Sequence, residues 1–294
     1  MATRSTATGR FETPRLTDIQ LAELMRLVKG ADTVELKVTV PADAHRATIQ
    51  GLGIDPVESQ PRQAYFFDTP DLALNKAGLV VRARRIQGGR GDTVVKVRPV
   101  EPDKLSAELR KDPSFNVEVD ALPGGFVCSA SFKGRSTGDE VRDAVRGKLP
   151  LRRLFSKGQR AYYAAHAPEG IDLDSLVALG PTFILKSRLQ IQLGLGKTTT
   201  IRQLVCEIWL YPDGSRILEL STKCQPAETF QVAAETRSYL AERGITLSGI
   251  QQTKTRTALE FHVKHLPAPE VPALAAGTRR AAKASPQPAE AATS

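Results

Sequence analysis

Strands that alternate apolar residues with charged ones limit this chain more than any other feature. In Thr33-Val34-Glu35-Leu36-Lys37-Val38-Thr39-Val40, every second residue is apolar and the others are polar or charged. Side chains alternate faces along a strand, so Glu35 and Lys37 share one face while Val34, Leu36, Val38 and Val40 share the other. The pattern recurs. Val81-Arg82-Ala83-Arg84 places two guanidinium groups together, and Val95-Lys96-Val97-Arg98 and Leu185-Lys186-Ser187-Arg188-Leu189 each place two cations together. Val117-Glu118-Val119-Asp120 pairs two carboxylates, and Leu218-Glu219-Leu220-Ser221 carries one.

A sheet with one face in water accounts for any one of these strands. It does not account for the set. Like charges at i and i+2 repel each other unless an opposite charge lies between them. If the sheet closes with its charged face inward, a cationic channel results, and buried charges need partners. Lys37, Arg82, Arg84, Lys96, Arg98, Lys186 and Arg188 outnumber the acids on the same faces. An anion with many oxygens would balance them, with Arg gripping through its planar fork and Lys as a point charge.

The 294 residues, 41% of them hydrophobic, suffice for one folded body with loose ends. Residues 1–15 are polar and are expected to be disordered. Residues 263–294, rich in Ala, Pro, Lys and Arg, are expected to form a disordered basic tail with a small cluster at Arg279, Arg280 and Lys283. The body is expected over 16–262. Eight strands are read in it: Val34–Val40, Ala64–Phe67, Leu79–Ile86, Thr93–Arg98, Phe115–Asp120, Thr182–Gln192, Leu204–Tyr211 and Arg216–Leu220. Tyr211-Pro212-Asp213-Gly214 and Gln87-Gly88-Gly89-Arg90-Gly91 read as hairpin turns. Helical spacing marks Thr17–Lys29, with Thr17 as cap and Gly30 as stop. Further helices are expected at Thr137–Gly147 and Ala227–Arg243, the latter with Phe230, Ala233, Ala234 and Leu240 on one side.

The net charge of +9 favours polyanionic partners. No stretch approaches the roughly 20 apolar residues that span a membrane, and residues 1–10 lack the core of a secretory signal, so no membrane partner is expected. Cys128, Cys206 and Cys224 are far apart and odd in number, which reads as buried free thiols and a cytoplasmic location. His262 and His265 could share a helix face, and an incidental pair is the plain reading. Aromatic residues are 5% of the chain and do not interleave with the basic ones, which argues against a single-stranded nucleic-acid partner. No Walker loop, Ser-His-Asp or Cys-His arrangement is present.

The order of Thr33-Val34-Glu35-Leu36-Lys37, Tyr65-Phe66-Phe67-Asp68-Thr69-Pro70-Asp71-Leu72, Ala77-Gly78-Leu79-Val80-Val81-Arg82-Ala83-Arg84 and Thr93-Val94-Val95-Lys96-Val97-Arg98 resembles the CYTH domain. That is the triphosphate tunnel metalloenzyme superfamily. The resemblance continues, more weakly, through Glu118 and Asp120, Leu218-Glu219-Leu220 and Thr253-Lys254-Thr255-Arg256. It implies an α+β fold, a closed antiparallel eight-stranded β-barrel with helices packed outside. It also implies binding of a triphosphate-containing small molecule or inorganic polyphosphate, and hydrolysis of a phosphoanhydride bond with Mg²⁺ or Mn²⁺. Position by position, Glu35 and Lys37 would be catalytic. Lys37, Arg82, Arg84, Lys96, Arg98, Lys186, Arg188 and Lys254 would hold the substrate. Glu35, Glu118, Asp120 and Glu219 would hold metal, with Glu207 a further acidic candidate.

Two departures matter. Thr33 and Ser221 stand where the family pattern has glutamates. Hard divalent cations prefer carboxylate oxygens, so both changes should weaken metal binding. A binding module for polyphosphate or nucleotide with a degraded metal site is therefore the alternative, and adenylate cyclase a third reading.

Overall fold

In the computed structural model, residues 16–194, 199–245 and 253–266 are described. The N-terminal segment 1–15 and the basic cluster Arg279, Arg280 and Lys283 lie outside them. Nine strands form among the described residues: β1 Thr33–Val40, β2 Gln60–Asp68, β3 Leu79–Ile86, β4 Gly91–Val97, β5 Phe115–Leu122, β6 Gly125–Ser136, β7 Val177–Leu193, β8 Thr200–Leu210 and β9 Arg216–Cys224. They close into a barrel in the order β1-β5-β6-β4-β3-β2-β7-β8-β9.

The α+β class holds, and two details of the expected barrel do not. There are nine strands rather than eight, and the barrel is mixed rather than wholly antiparallel. The strand absent from the sequence reading is β6. Its Gly125, Ser129, Ser131 and Gly134 dilute the alternation on which strand recognition depends. The parallel pair is β1 with β5, in which Thr33 lies opposite Glu118 and Glu35 opposite Asp120. The other neighbouring strands run antiparallel.

The alternation sorts the two faces of the wall. Outward residues such as Val34, Val38, Val81, Ala83, Val95, Val117 and Val119 are buried beneath helices. The helix Asp18–Gly30, capped by Thr17 as its spacing predicts, contributes Leu24, Leu27 and Val28 to this layer. Each such fully buried side chain is worth about 1.5–3 kcal/mol. The helix expected over Thr137–Gly147 forms as Gly138–Val145, with Thr137 as its cap, and buries Val141. The helix Thr229–Ala241 forms and buries Leu240 as expected, but the rest of its buried face is Thr229, Val232 and Glu235, and Phe230 and Ala234 are exposed.

A second apolar cluster lies on the inward face. Phe66, Val80, Ile184 and Trp209 pack there with Ala258 and Leu259 of the helix Lys254–Lys264. His262 on that helix shares a 2.9 Å hydrogen bond with Thr182 through Nε2, while His265 stacks on Phe261. The two histidines thus hold structure. Cys128, Cys206 and Cys224 are buried free thiols, and burial pushes Cys128 up to about 11. Among the described residues no helix is long and apolar enough to cross a membrane.

The connection from β2 to β3 places the arginine pair. Asp68 at the end of β2 accepts backbone N–H bonds from Leu74 at 2.9 Å and Asn75 at 3.0 Å, which holds the short turn Ala73–Lys76. Gly78, at φ +77°, then enters β3 with its carbonyl accepting from Arg98 N–H at 2.9 Å. A Cβ there would lie 2.2 Å from the Arg98 carbonyl oxygen, so the β3 and β4 ends can meet only at glycine.

Candidate functional site

The inward charged residues converge on a cavity of about 400 Å³ inside the barrel. It is lined by six acids (Glu35, Asp92, Glu118, Asp120, Glu207 and Glu219) and nine bases (Lys37, Arg82, Arg84, Lys96, Arg98, Lys133, Lys186, Lys223 and Lys254), an excess of three positive charges. Every expected substrate-holding residue except Arg188 lines it. Arg188 shares the face of Lys186 and is exposed, beyond the cavity.

Pairing inside the cavity is uneven. Lys37 Nζ lies 2.8 Å from Asp120 Oδ1 and 3.1 Å from Glu35 Oε2. Lys96 Nζ reaches the other Asp120 oxygen at 3.3 Å. Lys254, at the start of its helix, is held by Glu207 at 2.6 Å and Glu219 at 2.7 Å, and Lys186 joins Glu207 at 3.1 Å. Arg84 donates from Nε and Nη2 to both oxygens of Asp92. Arg82, Arg98 and Lys133 have no acidic partner within ion-pair distance among the described residues, and Arg82 Nε is buried with no hydrogen-bond partner.

No protein-family model matches this chain, and no curated protein matches it. Solved structures do. HpAC1 from Hippeastrum, an adenylyl cyclase candidate described as having a dominant triphosphatase activity, superposes with a TM-score of 0.54 at 17% identity, covering 78% of this chain and 99% of that one. An adenylate cyclase candidate from Bacillus halodurans superposes at 0.50 with 12% identity, over 76% of this chain and 98% of that one. The chain has the CYTH fold.

The barrel interior brings Glu35, Glu118 and Asp120 together, with one oxygen of each within 4.8 Å of the others. Three carboxylates at that spacing could hold a divalent cation. Glu219, the fourth expected ligand, stands apart on Lys254. At the departures, the Thr33 hydroxyl donates to Glu118 at 3.3 Å, and Ser221 is buried opposite Lys37 on the neighbouring strand.

The electrostatics follow from burial and pairing. Burial alone would raise Glu35, but Lys37 and Lys223 outweigh it and bring its carboxyl down to about 2. Asp120 is lowered in the same way, against burial, by Lys96 and Lys37. Burial works against Lys37 too, yet Glu35 and Asp120 hold it above the ordinary lysine range. For Arg82 the compensation from Asp92 and Glu207 is insufficient: burial first and Arg84 second bring it down to about 10.

Three charged lining residues were not singled out in the sequence. Lys223 extends the β9 face of Glu219 and Ser221 by one more alternate position, so its signal was present. Asp92 likewise precedes Val94 and Lys96 on the β4 face. Lys133 sits on the unrecognised β6 and could not have been placed without it.

Proposed function

We propose that this tunnel binds the phosphate chain of a triphosphate-containing molecule or inorganic polyphosphate and hydrolyses a phosphoanhydride bond. The observation that carries the reading is Arg82: a half-buried arginine in the wall whose buried Nε has no partner and which has no acid within ion-pair distance among the described residues, beside a cavity with excess positive charge. Burying an unpaired cation is costly unless a ligand supplies the counter-charge. Phosphate oxygens suit it, since guanidinium N–H groups fork onto them.

In this reading Arg82, Arg98 and Lys133 grip the chain directly. Arg84 is oriented for it by Asp92, and Lys254 by Glu207 and Glu219. Lys37 stays protonated, because Glu35 and Asp120 raise it, and it neutralises charge that develops during phosphoryl transfer. Most of the acceleration comes from such fixed charges and from positioning. Glu35, held at about 2, is too weak a base to take a full proton at neutral pH, so it orients a water molecule or a cation instead. Glu35, Glu118 and Asp120 would hold Mg²⁺ or Mn²⁺, whose contribution is to polarise phosphoryl oxygens and offset their charge.

The dominant triphosphatase activity described for HpAC1, a protein of like fold, favours hydrolysis over cyclisation. Binding without turnover is the second reading. It is favoured by the hydroxyls at Thr33 and Ser221 and by Lys223, whose ammonium touches two of the three clustered carboxylates. Phosphate release from tripolyphosphate, with and without Mg²⁺ or Mn²⁺, tests the proposal. Metal-stimulated release is expected; binding measured by calorimetry with no release in either metal selects the second reading. Cyclic AMP formation from ATP would select cyclisation.

A further inference from the structure

Beyond the cavity, β2 carries one more inward cation. The register pairs Ala64 with Arg84 and Gln60 with Lys186, so Arg62, between them on the same strand face, points to the tunnel side. Arg62 is only 6% exposed. Its Nη2 donates to Gln60 Oε1 at 2.6 Å, but its buried Nε has no partner, and no carboxylate lies within ion-pair distance among the described residues. Burial first, then the nearby Arg84, brings its guanidinium down to about 10 against the pull of Glu207 and Asp92, and Arg188 adds to the repulsion. Arg188 itself is exposed on the face of Lys186.

Arg62 thus resembles Arg82 in the cavity: its buried Nε has no partner, and Glu207 and Asp92 offset its charge only from beyond ion-pair distance, so the same physics applies. A buried guanidinium whose neighbours repel it is stabilised by an anion that touches them all. The row continues the cationic wall past Arg84 and Lys186 toward solvent at Arg188. An anion confined to the cavity would leave this row unused.

We propose that Arg62 and Arg188 form an additional anion subsite, which takes the phosphoryl units of a polyphosphate that extend beyond a triphosphate. This rests on the reading of the cavity as a triphosphate site. The expected ligand is an unbranched inorganic polyphosphate longer than three units, since a bulky organic group at that position would gain nothing from guanidinium donors.

The test is calorimetric binding of tripolyphosphate, tetrapolyphosphate and long-chain polyphosphate to the full chain. The wild type should bind the longer anions roughly tenfold more tightly than tripolyphosphate, the worth of one charge-assisted contact. Arg62→Met should erase that gain while retaining tripolyphosphate affinity, which also shows that the variant is folded. Arg188→Gln, at an exposed position, should reduce the gain in the same selective way. Equal affinity for all chain lengths in the wild type would overturn the subsite. So would equal weakening for all lengths in Arg62→Met or in Arg188→Gln. Failure of the wild type to bind even tripolyphosphate would instead overturn the function of the cavity, and this proposal with it.

Discussion

The Lys223 ammonium lies against the Glu118 carboxylate and 3.7 Å from Glu35 Oε2. Two of the three carboxylates that could hold a divalent cation thus share this one ammonium, while the third, Asp120, is held by Lys37 and Lys96. Lys223 is half exposed, whereas both acids are largely buried, so the lysine is the member that can swing away.

A cation entering the cluster must displace that ammonium. Lys223→Met should therefore raise Mn²⁺ affinity, by about tenfold if one ion pair is relieved. Direct Mn²⁺ titration without any phosphate ligand measures it. Adding Glu118→Gln should remove the gain. Unchanged or weaker Mn²⁺ binding in Lys223→Met would show that the lysine and the metal do not compete.

Arg82 and Arg84 should respond differently to substitution. Arg82 has no acid within ion-pair distance among the described residues, so Arg82→Met should raise Tm in the absence of ligand, as removal of a charge that Asp92 and Glu207 offset only from a distance relieves its desolvation. The same change should weaken tripolyphosphate binding about 10- to 100-fold. Arg84→Met leaves Asp92 without its bidentate partner and should lower Tm. Thermal melts with and without tripolyphosphate compare the two; a fall in Tm for both would count against an unpaired Arg82.

Acid should unfold the barrel from its acidic cluster. The Glu35 carboxyl is lowered in the folded chain, so its stabilising contribution is complete above its unfolded value and is lost as pH falls through the folded value. Stability should decline between about pH 4.5 and about pH 2. Asp120 shifts in the same direction and adds to the slope. Glu35→Gln should flatten the decline, as read from denaturant midpoints across that range; an unchanged slope would remove Glu35 from the linkage.

Gly78→Ala should destabilise the chain by about 1–3 kcal/mol, from a positive φ and a Cβ placed against the Arg98 carbonyl. Relief of that clash also moves the start of β3 and the end of β4, so affinity for tripolyphosphate should fall along with the urea midpoint. A neutral substitution would mean that these strand ends have room to part.

Much of the site was legible before any tertiary structure. Period-two alternation places Glu35 with Lys37, Arg82 with Arg84 and Glu118 with Asp120 on common faces, because the pleat leaves no other choice. Cap and turn residues set the helix starts at Thr17 and Thr137 for equally local reasons. The strand β6 was not legible, since serines and glycines pack well between neighbours while carrying little strand preference of their own. Nor was the turn of the helix Thr229–Ala241, whose buried face is chosen by what it packs against.

Sequence by itself therefore determined which side chains travel together. Only the tertiary structure decided which face is enclosed and which charges meet across it. Lys223 meets Glu118, and Lys254 meets Glu207 and Glu219, across strand and helix contacts far apart in the chain. The physical reason is one of range. Alternation is set by neighbouring residues, whereas the parallel pairing of β1 with β5 that closes the barrel depends on every strand between them being in place.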